Sequence, residues 1–313
     1  MIERKRLPLK AVADCSVPLC SGNSLCPGCT ESMIVNMILM EKPADVDVVV
    51  ILATGCLEVS TTSFPNTFWD VPVLHCSFDT TGAAASGVEA AYRFLRKKGK
   101  IQKDVRFVAF AGDGGTYDIG LQSLSGMLER GHRVTYVCLD NEGYMNTGGQ
   151  RSSASPFLAH TSTAPKQRSD EGDRRRRKNL LEFAVAHNIP YVAQSVPNSV
   201  KMHDLRDKAR AALDTDGPSL LNVLAPCARG WGFDGSQPIT LGDLAVETGY
   251  WPLCEVRDGV WGMTYIPKNG RRPIESFLAA QRRFAHVLTD PLQVVRMQEM
   301  VDIEWARVCA RSV

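Results

Sequence analysis

The chain has 313 residues, 44% of them hydrophobic, with 36 Lys and Arg against 34 Asp and Glu, enough to bury a large core in one or two domains. A formal net charge of +2 gives no support to a nucleic-acid role, which shows as a stronger basic excess, and no run of about eighteen apolar residues is present to span a membrane. Ten cysteines behind an opening Met1-Ile-Glu-Arg-Lys that is no secretory signal point to a cytoplasmic protein with reduced thiols and not to a disulfide framework.

In chain order, the first marked feature is Cys26-Pro27-Gly28-Cys29, ahead of a helical pattern at 31–41. A β-rich apolar run at 48–53 then ends in Ala53-Thr54-Gly55-Cys56. Runs at 71–78 and 105–111 flank a helical pattern at 87–98, and the second closes in Gly112-Asp113-Gly114-Gly115. Beyond a helix at 119–130, the run 134–139 leads into Asp140-Asn141-Glu142-Gly143-Tyr144. The polar stretch 162–173 reads as a loop, bland or lining a substrate channel, and the basic run Arg174 to Lys178 as a solvated face before a helix at 179–188. Runs at 191–196 and 220–225 surround a helix at 200–213, and the last run ends in Ala225-Pro226-Cys227.

Several of these runs are continuously apolar, which implies burial on both faces and hence a parallel sheet. Their alternation with helices predicts an α/β fold, a doubly wound and mostly parallel sheet, over residues 1–230. Ligands bind such sheets beyond the carboxyl ends of the strands, where Cys56, Asp113, Asn141 and Cys227 all fall. Past residue 230 the pattern gives a helix at 240–249, a hairpin of 252–256 with 260–266 about Arg257-Asp258-Gly259, and helices at 274–288 and 292–311. This C-terminal helical and hairpin extension, 231–313, is expected to serve subunit contacts or to cap the sheet edge.

An acidic residue at one strand end and an Asn carboxamide 28 residues later can hold one Mg²⁺, Asp113 supplying charge and Asn141 a neutral carbonyl, with diphosphate oxygens and water completing the shell. Gly112, Gly114 and Gly115 let the backbone approach phosphates at a helix N-terminus. The same pattern also serves an ordinary strand-to-helix turn. Cys26, Cys29, Cys56 and Cys227 sit in turns or just past buried strands, and four thiolates suit one [4Fe-4S] cluster. A lone CxxC equally suits half a zinc site or a redox pair. Cys15, Cys20, Cys76, Cys138, Cys254 and Cys309 read as core or surface thiols, Cys15 and Cys20 being close enough in sequence to compete for the metal. His75 and His132 lack ligand-like spacing and read as structural. A nicotinamide dehydrogenase is disfavoured because no G-x-G-x-x-G opens a helix after the first strand; a non-catalytic zinc scaffold remains the alternative of another class.

Taken together, Cys26-Pro-Gly-Cys29, Ala53-Thr-Gly-Cys56, the segments 112–120 and 140–150, and Ala225-Pro-Cys227 resemble the β subunits of 2-oxoacid:ferredoxin oxidoreductases, over about residues 26–257. The resemblance implies a sheet of the thiamine-diphosphate-binding type. It implies that Cys26, Cys29, Cys56 and Cys227 ligate a [4Fe-4S] cluster, and that Asp113, Asn141 and the Gly143 carbonyl hold Mg²⁺. Thr54, Gly55, Gly112, Gly114, Gly115, Asn146 and Thr147 would line the cofactor, with Glu31 and Asn146 as catalytic candidates. No second α/β domain fits in this length, so an α subunit is expected to supply the pyrimidine side and its activating Glu, with a ferredoxin-like subunit or domain and then soluble ferredoxin receiving electrons.

The chain is most similar to the pyruvate branch and, within it, to the oxalate-oxidising members, which makes oxalate the favoured substrate, giving CO₂ without CoA. Pyruvate with CoA, giving acetyl-CoA and CO₂, is the alternative. Two departures weigh against pyruvate. Thr30 stands where the family commonly has Gly, and Phe78-Asp79-Thr80-Thr81-Gly82 stands where pyruvate enzymes often read Phe-Glu-Asn-Ala. Arg151, directly after the cofactor loop, is a candidate for binding a substrate carboxylate.

Overall fold

A computed structural model describes residues 17–165 and 175–312; Cys15, Arg174 and residues 166–173 of the polar stretch lie outside the described residues. Six strands, β1 (Asp47–Ala53), β2 (Val73–Cys76), β3 (Val105–Gly112), β4 (Val134–Asp140), β5 (Tyr191–Ser195) and β6 (Ser219–Leu224), pair in parallel. A hairpin of β7 (Cys254–Arg257) and β8 (Val260–Met263) joins the β5 edge antiparallel. The resulting sheet runs β2-β1-β3-β4-β6-β5-β7-β8, the doubly wound arrangement the sequence predicts.

Every residue of β4 is buried, because successive side chains point to opposite faces and both faces are covered. Helices α1 (Thr30–Leu39) and α6 (Asp204–Asp214) cover one face, burying Ile34, Ile38, Leu205 and Ala209 against Val50, Leu52, Val108 and Phe110. The other face takes α3 (Thr81–Lys97) and α4 (Leu121–Glu129), whose Ala85, Leu124 and Met127 meet Ile51, Phe107, Ala109 and Tyr136. Short helices α2 (Cys56–Thr61), α5 (Leu180–Val185) and α7 (Ala228–Trp231) follow strands or loops near the site. A third apolar cluster holds the C-terminal region together, with α8 (Pro238–Glu247), α9 (Glu275–Ala279) and α10 (Pro291–Arg311) packed around Trp231, Trp251, Phe277 and Phe284. Asp290 caps α10 by accepting from Leu292 N at 3.0 Å, with Pro291 in the first turn. Among the described residues no helix is long and apolar enough to cross a membrane.

Three elements differ from expectation. Helix α3 begins at Thr81, six residues before the predicted start, because Gly82 allows a close crossing with α4: a Cβ there would lie 2.5 Å from Ser123 O. Gly82→Val is therefore expected to lower stability by about 1–3 kcal/mol through overpacking, read as a lower denaturation midpoint; an unchanged midpoint would refute this contact. The Gly-rich segment after β3 forms a π-helical turn, Gly114–Ile119, before α4 begins. The helix expected at 274–288 is broken: α9 stops at Ala279, Gln281 is extended, and short 3₁₀ turns follow. The break turns Arg283 inward, where it is 5% exposed and pairs with Glu142.

This topology assembles the site. From β1 the chain moves outward to β2 and returns on the other side of β1 as β3, so the crevice at the carboxyl ends lies at this reversal. β1, β3, β4 and β6 are successive neighbours in the sheet, and Cys56, Asp113, Asn141 and Cys227 follow their four carboxyl ends.

Candidate active site

Two cavities open at these strand ends. The first, of about 230 Å³, is lined by the polar groups of Asp113, Asn141 and Gly143, by Thr54, Gly55 and Cys56, and by Asn146 and Thr147. Leu52, Leu57, Phe110 and Leu139 supply apolar wall. The catalytic candidate Glu31 and the predicted cofactor residues Gly112 and Gly114 also line it, whereas Gly115 packs against Phe78 and does not.

The oxygens of this cavity suit a hard cation. Asp113 is 1% exposed and accepts from Ser152 Oγ; burial, and then the neighbouring Asp140 charge, push its carboxyl well above the usual range. Asn141 donates from Nδ2 to Glu31 Oε1 at 3.3 Å, which leaves its buried Oδ1 without a hydrogen-bond partner among the described residues. Gly143 O accepts from Met145 N at 3.0 Å and retains a second lone pair. A carboxylate, an orphaned carboxamide oxygen and a half-used carbonyl are a donor set that Mg²⁺ satisfies.

Gly114 is required by packing, since a Cβ there would lie 2.3 Å from the Tyr144 ring, which is anchored by donation to Asp118 Oδ2 at 2.9 Å. Gly114→Ala should displace that wall and weaken uptake of thiamine diphosphate about tenfold, roughly 1.4 kcal/mol. A cofactor titration checks this, and an unaltered binding curve would contradict it.

The second cavity, of about 500 Å³, is lined by Cys26, Cys29, Cys56 and Cys227. Among the described residues no three His, Cys, Asp or Glu side chains converge closely enough to hold a single metal ion. All four cysteines expected to hold a cluster thus border one cavity. Cys227 Sγ accepts from Gly230 N at 3.3 Å. Burial, then the Glu31 charge, push the Cys29 thiol up and bring Cys56 to about 12, while Asn146 offers Cys56 a hydrogen bond. Cys20 is exposed and, like Cys76, Cys138, Cys254 and Cys309, lines neither cavity.

Five residues, Glu31, Cys56, Asn141, Met145 and Asn146, line both cavities and form the wall between them. Glu31 is 5% exposed, its Oε2 has no partner among the described residues, and burial raises its carboxyl to about 7 against the opposing Asn141 hydrogen bond.

Next to the cavity's Asn141 and Gly143 in the chain lies a charged network that is not legible in the sequence. Arg177, assigned there to a solvated run, instead donates to Asp140 Oδ2 at 2.5 Å and to Glu142 Oε1 at 2.9 Å, with its guanidinium 4.7 Å from the Trp251 ring. Tyr117 Oη donates to Asp140 Oδ2 at 2.9 Å, and burial still pushes the Asp140 carboxyl up against the Arg177 charge. Arg283 Nη2 reaches Glu142 Oε2 at 2.6 Å. The other candidates are peripheral: His75 contacts Thr54 Oγ1 at 3.1 Å, His132 pairs with Glu89 at 2.7 Å, and neither these histidines nor Arg151 line either cavity.

The profile of the family "Thiamine pyrophosphate enzyme, C-terminal TPP binding domain" matches residues 53–223. Pyruvate synthase subunit PorB of Thermotoga maritima is 46% identical over 93% of this chain and 91% of its own length, and PorB of Methanothermobacter thermautotrophicus is 46% identical over 91% and 94%. Ketoisovalerate oxidoreductase subunit VorB of Pyrococcus furiosus is 36% identical over 92% of this chain and 91% of its own. A solved structure of 2-oxoglutarate:ferredoxin oxidoreductase from Magnetococcus marinus, with 2-oxoglutarate, coenzyme A and succinyl-CoA bound, superposes with a TM-score of 0.54 at 25% identity, covering 69% of this chain and 67% of that one. With a thiamine-pyrophosphate-binding domain at its centre and such relatives along nearly its whole length, the chain belongs to the β subunits of the 2-oxoacid:ferredoxin oxidoreductases.

Proposed function

We propose that this chain is the β subunit of a pyruvate:ferredoxin oxidoreductase, which converts pyruvate and CoA to acetyl-CoA and CO₂ and passes two electrons to ferredoxin. The observation that carries the reading is the pair of cavities at four neighbouring strand ends, one rich in oxygen donors and one ringed by thiols, divided by a shared wall. Thiamine diphosphate, when bound, supplies a carbon nucleophile and electron sink, and a [4Fe-4S] cluster supplies a one-electron acceptor. Asp113, Asn141 Oδ1 and Gly143 O would hold Mg²⁺ against the diphosphate; Cys26, Cys29, Cys56 and Cys227 would hold the cluster. Leu52, Phe110 and Leu139 keep water from the buried end of the site. Asn146, in the shared wall and hydrogen-bonded to Cys56, is placed to orient groups on either side. An α subunit would complete the pyrimidine side with its activating Glu, and a ferredoxin-like subunit or domain would carry electrons onward to soluble ferredoxin.

Pyruvate replaces oxalate as the favoured substrate. Pyruvate synthase subunits at 46% identity are among its relatives, and the residues that pointed to oxalate do not line the first cavity. Thr30 borders only the second cavity, is 1% exposed and gives its hydroxyl to Pro226 O at 3.4 Å, and Asp79, Thr80 and Thr81 line neither cavity. The test is anaerobic reduction of a low-potential dye by the complex isolated with its partners, comparing pyruvate, oxalate and 2-oxoglutarate with and without CoA. Turnover of pyruvate only with CoA is expected. Turnover of oxalate without CoA would restore the other substrate, and no thiamine-dependent turnover at all would sink the reading.

A further inference from the structure

We propose that Glu142 is a positioning residue for the Asn141–Gly143 loop, aiming the Asn141 carboxamide and the Gly143 carbonyl into the first cavity through contacts made entirely on the loop's far side. The proposal rests on the thiamine diphosphate reading above and assigns a role to a residue that touches neither cavity.

Glu142 stands between the two oxygen donors with φ at +65°, in the left-handed region that a non-glycine residue enters only when its surroundings over-determine it. Those surroundings are complete. Its N–H donates to Asp140 Oδ1 at 3.2 Å, and its carbonyl accepts from Ser155 Oγ at 2.8 Å. The carboxylate, 1% exposed, accepts from Arg177 Nη1 at 2.9 Å, Tyr250 Oη at 2.5 Å and Arg283 Nη2 at 2.6 Å. These three donors come from three remote segments: the approach to α5, the turn after α8, and the broken helix after α9.

Arg283 acts on the loop a second time. Its guanidinium carbon lies 3.8 Å from the Trp231 ring centroid, and Trp231 Nε1 donates to Asn141 O at 2.8 Å. The backbone of Asn141 and the side chain of Glu142 are thus tied to one arginine. The loop's outward groups are all engaged, while Asn141 Oδ1 on the cavity side has no partner among the described residues. A loop so held presents its oxygens without having to be ordered by the cation.

The test compares Arg283→Met, Arg283→Lys and Glu142→Gln in the assembled complex. Two quantities are read: the Mg²⁺-dependent dissociation constant for thiamine diphosphate by calorimetry, and amide hydrogen exchange across residues 141–150 of the cofactor-free protein. Arg283→Met and Glu142→Gln are expected to weaken cofactor binding by about 10- to 100-fold, the range for removing a group behind a metal ligand. Exchange at 141–145 should quicken about tenfold without spreading to the β3 and β4 core. Arg283→Lys keeps the charge and should recover part of both, and affinity should fall far more than kcat at saturating cofactor. Wild-type binding and exchange in variants that assemble would overturn the role of Glu142, as would a general loosening of the whole subunit with affinity retained. A wild-type complex that takes up no thiamine diphosphate with Mg²⁺ would instead overturn the parent reading.

Discussion

Replacing Cys227 with serine in the assembled complex should remove iron colour and lower substrate-dependent dye reduction by more than about a hundredfold, beyond what loss of an outer-shell partner costs. Cys227 follows the end of β6 and faces the same cavity as Cys26, Cys29 and Cys56. Its sulfur already accepts an N–H bond from Gly230, a contact that would also stabilise a cluster thiolate. A serine hydroxyl is a harder and far weaker acid, so it surrenders its proton to iron less readily and leaves one corner of the cluster poorly held. Cys76→Ser is the matched control, because Cys76 lines neither cavity. Full iron content in the Cys227 variant would remove that thiol from the assignment, and an air-stable, colourless wild type containing zinc would dismiss the cluster.

Asp113→Asn should act in opposite directions on catalysis and on stability. On the proposed reading the substitution removes the charge that would anchor Mg²⁺, and it is expected to lower turnover about a thousandfold, on the order of 4 kcal/mol of barrier. The cofactor-free protein, however, should melt no lower than wild type and is expected to melt higher. Asp113 is fully buried with Asp140 and Glu142 nearby, and its burial and their charges all work against its ionised form. An amide of the same shape relieves that repulsion and can still accept from Ser152. Thermal melting of the cofactor-free complex together with steady-state turnover checks both signs. A marked fall in melting temperature would show that the acid stabilises the fold, and retained turnover would remove it from the metal site.

The parts of the fold legible in the sequence are those governed by local pattern. All six parallel strands were located near their observed bounds, because strands buried on both faces must be apolar throughout. Asp258 and Gly259, both at positive φ, mark the hairpin by turn chemistry alone. The candidate site residues were legible for a related reason: strand ends are found from strand patterns, and the ligand types sit directly after them.

What escaped was decided by partners remote in sequence. Arg177 has neighbours of the same charge and looks like any of them. Only Asp140 and Glu142, 37 and 35 residues away, draw it half-buried into the charged network. The break after Ala279 is unreadable for the same reason, since the segment's helical pattern is intact and the competing demand is Arg283's pairing with Glu142. The start of α3 was missed because Gly82 weakens helix propensity locally while permitting the close crossing that stabilises the helix. Substrate preference was not legible: Thr30, read as a departure near the site, gives its hydroxyl to Pro226 O, and Asp79 to Thr81 do not line the first cavity.

The pairing of Glu142 with Arg283 spans 141 residues of chain, and that separation sets an order of events during synthesis. At ribosomal speeds of about 5–20 residues per second, roughly 7–28 s pass between the two residues emerging. β3, β4 and the helices that cover them exist as chain well before their cation loop can be locked. If Glu142 positions the loop as proposed, loading of the cofactor would be a late act of biogenesis, following the arrival of the C-terminal segment, and a chain truncated before residue 283 is expected to form a sheet yet bind Mg²⁺ and diphosphate poorly.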